Sequence, residues 1–256
     1  MLHMNKKIIS ALTMVAAAFF LGVIATIAWR TAPLAPGSPH NASPSLPMDI
    51  VSIHDTSSKL WTLSIEYPQF SFASASFNKE ISDAVNAHRD DFEKNVQDNW
   101  AARQATAPSG TPREEFPSSP FDFIVTWEPA QINARTISFV IRFSSYEGGA
   151  SGRDELQTFN YDCVAGKDLT LADLFPGMPN YLEKASQLSR EQLTGSLATA
   201  SAGHVQTDML DAGTAPTADN FKNFTFTDYG ITIYFSRYQV APGAFGEQTV
   251  TLSRAR

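Results

Sequence analysis

The chain has 256 residues, 43% of them hydrophobic and 18% charged, with a net charge of −7. Its 18 Phe, 7 Tyr and 4 Trp supply ample area for a core, which excludes a disordered chain, and 14 Gly with a single Cys exclude collagen-like and disulfide-framework classes. Setting aside Lys6, Lys7 and Arg30, which flank an apolar segment, leaves 16 basic against 26 acidic side chains, scattered without a basic patch, so no nucleic acid partner is expected.

Residues 8–29 carry no charge and are interrupted only by Ser10, Thr13, Gly22 and Thr26. As a helix such a run spans roughly 33 Å, against a hydrocarbon core of about 30 Å. A transmembrane anchor is therefore expected, with residues 1–30 as cytoplasmic stub and anchor. Lys6 and Lys7 place the N-terminus inside and the remaining chain outside the membrane. Cleavage after Ala25 or Ala28, leaving a secreted or periplasmic protein, is the alternative. Met4 as well as Met1 fits a start. Residues 31–47 hold five prolines and read as an extended spacer.

From Met48 the pattern becomes that of a folded domain. Ile50–Ile53 and Leu60–Tyr67 alternate at period two around a turn at Asp55–Ser58, a hairpin. Phe77, Ile81, Val85, Phe92, Val96 and Trp100 then recur at helical spacing over 77–105, with Ser76 as N-cap and His88 on or near the apolar stripe as a core or boundary residue. Strands follow at 121–128, 136–143 and 155–163. The last places Cys163 on one face with Phe159 and Tyr161, a buried small hydrophobe. Residues 170–175 read as a short helix, 180–196 as a second amphipathic helix and 199–217 as a surface loop. A hairpin around Asp228–Gly230 and a strand at 249–252 complete the chain. The expected class is α+β: antiparallel sheets, each packed by a helix and preceded by one transmembrane helix.

Chemistry is sparse. No two of His3, His40, His54, His88 and His204 lie within ten residues, and there is no Cys pair, so neither a metal site nor a cofactor is expected. Ser76-x-x-Lys79 lacks the companion motifs of serine acyltransferases, and Gly148-Gly149-x-x-Gly152 leads into a strand rather than a helix N-terminus. No catalytic residue is assigned and the chain is not expected to be an enzyme. The alternative is a small cell-wall hydrolase or esterase using dispersed acids such as Glu147 and Asp154.

Three stretches are distinctive. They are Tyr146-x-Gly148-Gly149-Ala150-x-Gly152, Gly166-Lys167-x-Leu169-Thr170-Leu171-x-Asp173-Leu174-Phe175, and Phe235-x-x-Tyr238-x-Val240-Ala241-Pro242-Gly243-Ala244-x-Gly246. Together they resemble the bacterial envelope module found in RsiV-type anti-sigma factors and ahead of the catalytic domain in PdaC-type peptidoglycan deacetylases. The resemblance covers about 48–253. It implies a PdaC-like α+β part at 48–165 and an RsiV-like part at 166–256. It also implies binding to peptidoglycan or an envelope protein, lysozyme among the latter. Ser151 stands where the family often has His, and the metal-binding elements of the deacetylase domain are absent from the sequence. The expectation is a non-catalytic, membrane-anchored binding or sensing protein. Its ligand-binding loop positions would be Tyr146, Gly148, Gly149, Gly152, Tyr238, Ala241, Pro242 and Gly246.

Overall fold

A computed structural model describes residues 46–107, 115–148, 151–201 and 203–253. The larger sheet has six strands in sequential order: β1 (Met48–Asp55), β2 (Trp61–Phe70), β3 (Phe121–Ile132), β4 (Thr136–Tyr146), β5 (Arg153–Asp162) and the two-residue β6 (Lys167–Asp168). β1 and β2 form the expected antiparallel hairpin. Between β2 and β3 runs α1 (Ala75–Thr106), and because the helix carries the chain back along the sheet, β3 enters parallel to β2. The sheet is therefore mixed, which corrects the expectation of purely antiparallel sheets. The expectation of a preceding transmembrane helix is corrected as well: among the described residues no helix is long and apolar enough to cross a membrane. The span at 8–29 lies outside the described residues.

α1 buries the six apolar residues at helical spacing, Phe77 to Trp100, against Leu63, Ile65 and Tyr67 of β2 and the inward residues of β3, β4 and β5. Its cap is Ser74, two residues before Ser76, with Oγ accepting from Phe77 N–H at 3.1 Å. Aromatic contacts run through this core: Phe77 stacks on Tyr161 at 4.4 Å and Phe139 on Phe159 at 5.2 Å. Cys163 sits at the margin of this core, half-buried, and burial pushes its thiol pKa up.

The smaller sheet, β7 (Phe224–Phe226), β8 (Gly230–Phe235) and β9 (Gln248–Ser253), is antiparallel throughout and is packed by α2 (Tyr181–Ala200) through Ala185, Leu193 and Leu197. The stretch expected to be a loop at 199–217 contains α3 (Thr207–Gly213), whose few apolar residues give too short a period to be read from sequence.

The two sheets meet through a buried polar junction. β7 is an edge strand, and its outward backbone groups would be stranded against the larger sheet. Ser138 Oγ accepts from Phe226 N–H at 2.8 Å, Asn160 Nδ2 donates to the Phe224 carbonyl at 2.8 Å, and Ser138 Oγ donates to Asn160 Oδ1 at 2.7 Å. Thr158 Oγ1 takes the Phe224 N–H at 3.1 Å. Side chains of β4 and β5 thus do what a seventh neighbouring strand would do.

Candidate functional site

A cleft of about 830 Å³ lies beside β5. Its floor is the stretch 151–158. One wall carries His88 from α1, and the other carries Lys222, Asn223 and the turn Ser236–Tyr238.

That turn is held by Gln239. Its Oε1 accepts from Ser236 N–H at 3.1 Å, while its Nε2 donates to the carbonyls of Gly213 at 3.2 Å and Asn220 at 3.1 Å. Gly213, at the end of α3, must be glycine, since a Cβ there would lie 2.1 Å from the Gln239 carbonyl oxygen. So clamped, Tyr238 adopts φ 70°, the one non-glycine residue of the described chain in the left-handed region. The residue is 62% exposed. A Cβ on Gly243 would sit 2.1 Å from that ring, so Gly243 lets the aromatic lie directly on the backbone. Arg237 flanks it, donating through Nε to the Gly243 carbonyl at 2.8 Å, with its guanidinium 5.2 Å from the Tyr238 ring centre.

On the opposite wall His88 stacks on Phe143 at 3.8 Å. Nδ1 faces the Ala84 carbonyl at 2.9 Å and Nε2 faces Glu155 Oε2 at 3.1 Å, so both ring nitrogens are spent on the fold and neither points to a ligand. Arg153 pairs with Glu155, and Asp154 Oδ1 accepts from Ser144 Oγ at 2.9 Å. Among the described residues no three His, Cys, Asp or Glu side chains converge as a metal site. The groups that remain available are an aromatic face, the Lys222 ammonium, the Arg237 guanidinium and backbone amides. Such groups can stack on and hydrogen-bond a polar ligand.

The structure distributes the sequence-derived site residues over several places. Gly152 and Tyr238 share the cleft. Gly246, at φ 67°, lines an adjoining hollow of about 450 Å³ that shares Asp154, Leu156 and Arg237 with it. Tyr146 and Gly148 sit together at the end of β4 by Phe121 and Arg103, in a separate recess of about 290 Å³. There Gly148 has φ 82°, and a Cβ would meet the Phe121 ring at 2.7 Å. Ala241 is buried, and Pro242 caps a short 3₁₀ turn. Gly149 lies outside the described residues. Glu147 and Asp154 are held by Ser145 and Ser144 respectively. Lys222, Arg237 and the His88–Glu155 pair were not read from the sequence. Arg237 lies inside the Phe235-x-x-Tyr238 motif, and His88 alone was read, as a residue on or near the apolar stripe of the helix.

The family model "Deacetylase PdaC" matches residues 55–153, and "Protein of unknown function (DUF3298)" matches 172–255. The chain thus carries a PdaC-like part followed by a DUF3298-like part, the pairing that its motifs resemble. It is 33% identical over 121 residues to a peptidoglycan-N-acetylmuramic acid deacetylase, PdaC, of Bacillus subtilis, covering 47% of this chain and only a quarter of that relative. Two crystal structures of DUF3298 proteins share the fold. One, from Bacteroides fragilis, has TM-score 0.53 at 17% identity, covering 82% of this chain and 90% of the other. The second, from Pseudomonas aeruginosa, has TM-score 0.52 at 13% identity, covering 81% and 90%. The expectation that the chain is not an enzyme is corrected by the first of these relatives, a named deacetylase whose similarity points to an enzyme family.

Proposed function

We propose that the chain is a peptidoglycan-directed protein, placed outside the cytoplasmic membrane where that polymer lies, and that its cleft seats the glycan with Tyr238 as stacking platform. The observation that carries this reading is the exposed Tyr238 ring held at positive φ. A left-handed tyrosine costs of order 1 kcal/mol, which is retained where a side chain must be presented in one direction. Tyr and Arg side by side are the residue types that anchor ligands most strongly. The PdaC relative supplies the polymer's identity. A second reading, favoured by that relative's activity, is hydrolysis in the same cleft.

The test is co-sedimentation of the full chain with insoluble peptidoglycan at low and high salt, with released acetate measured in parallel. Binding that survives high salt is expected, since a stacking contact is not screened. Tyr238→Ala is expected to weaken it at least tenfold, about 1.4 kcal/mol. Tyr238→Gly should lose binding equally while the fold becomes no less stable, because glycine relieves the backbone. A chain that stays in the supernatant under both salts would sink the proposal. Acetate release lost in Asp154→Asn would move the hydrolytic reading to the front.

A further inference from the structure

The β4–β5 ladder fixes the direction of each main-chain group in β5. Cys163 N–H bonds the Arg135 carbonyl on the β4 side, whereas the Asn160 carbonyl accepts from Leu169 N–H at 2.8 Å on the opposite side. The register from Arg153 to Asp162 runs without a shift. Strand period two therefore sends the N–H and C=O groups of Thr158, Leu156 and Asp154 to the same outer side as Asn160. β6 covers that side only at Tyr161 and Asp162. From Asp154 to Thr158 the edge faces the large cleft, and no main-chain or side-chain group of the described residues bonds these outward groups.

An uncovered edge is a template for another extended chain, and proteins normally blunt or cover such edges. Here the edge is recessed beside the Tyr238 platform, so it is shielded from casual pairing and placed where the proposed ligand would lie. Residues 154 to 158 present three outward positions over about 14 Å, the length of an extended peptide of four or five residues. The cleft is also lined by Lys222, exposed, and Arg237, which with Arg153 outnumber its two carboxylates, Asp154 and Glu155, in a chain of net charge −7. The fitting occupant is a short peptide rich in main-chain amides and free carboxylates.

We propose that the β5 edge takes up the peptide stems of peptidoglycan by strand addition, while Tyr238 takes the glycan. This rests on the peptidoglycan reading above and sharpens it. Stem peptides are short, carry several carboxylates and branch from the glycan, so one polymer supplies both contacts. Their amides pair with Asp154, Leu156 and Thr158, and their carboxylates meet Lys222 and Arg237.

The experiment uses the full chain and three probes: intact peptidoglycan, glycan strands stripped of stems by amidase digestion, and a free stem tetrapeptide. Intact polymer is expected to bind at least tenfold more tightly than stripped glycan. The free tetrapeptide should slow amide exchange at residues 154, 156 and 158. Leu156→Pro removes one outward N–H and leaves the β4 ladder intact, so it should bring the two polymers within twofold of each other. Lys222→Glu, at an exposed position, should do the same and serves if the proline variant does not fold. Equal binding of intact and stripped polymer overturns this inference and leaves the glycan reading standing. Tetrapeptide binding without protection at the three amides also overturns it. Failure of every probe overturns both.

Discussion

β5 carries two contrasting regions along one strand. Near Asn160 side chains of β4 and β5 seal the edge of β7, and β6 begins to cover β5 itself. Near Leu156 the strand edge is open, and the surrounding loops stand back to leave a cleft. The difference teaches what this fold does with strand edges. Where an edge would be buried, Ser, Asn and Thr are spent on closing it. Where an edge adjoins a strained, exposed tyrosine, nothing closes it.

Breaking the sealed region should give the largest effect. Asn160→Ala strands the Phe224 carbonyl and removes the partner of the Ser138 hydroxyl, and chemical denaturation should show a loss of about 3 kcal/mol. Disturbing the open region through its buttress comes next. Gly213→Ala drives a methyl into the Gln239 carbonyl, so it should cost about 2 kcal/mol and lower peptidoglycan binding along with stability, because the Tyr238 turn moves. A third change reverses the sign. Ser189 in α2 is fully buried with an unpartnered hydroxyl, and Ser189→Ala should raise the unfolding free energy by about 1 kcal/mol, in contrast to Asn160.

The smallest effect concerns the point where cover ends. The Lys167 ammonium and Thr170 hold the Asp173 carboxyl at a pKa of about 2, and this clamp fastens β6 to the following 3₁₀ turn. A depressed acid stabilises the fold above its unfolded pKa, near 3.8, and loses that contribution as pH falls through about 2. Because the pair is at the surface, the stability gap between the parent and Asp173→Asn should stay below about 1 kcal/mol, flat above pH 5 and closing towards pH 2. A gap that widened on acidification would contradict the clamp.

Much of the fold was legible because it is periodic. The six buried residues of α1 were read without error, and the antiparallel pairings β1–β2, β3–β4 and β7–β8 follow from alternation and turn residues. The parallel β2–β3 pairing was missed because it depends on a helix of 32 residues carrying the chain along the sheet, a tertiary fact with no local mark. α3 was missed because two turns of helix rich in Asp, Thr and Gly look like a loop. In the candidate cleft, Gly152 and Tyr238 are positions that the motifs single out, and Arg237 lies within one of those motifs. Lys222 and Glu155 were not found, because charges in a cleft have the same sequence signature as charges in solvent.

The seam at Ser138 and Asn160 bears on how such a chain can be cut and reassembled. The family models leave residues 154–171 between them, and the residues that satisfy β7 are Ser138, inside the first match, and Thr158 and Asn160, inside that gap, all upstream of the second match. A C-terminal piece grafted elsewhere would bring a bare strand edge with it, and an N-terminal piece would show a buried Ser–Asn pair to water. For anyone assembling chimaeras of this fold, the transferable cassette is therefore the whole compact unit from Pro44 to Arg256, and a library shuffled at the family boundary would select for aggregation before any other property.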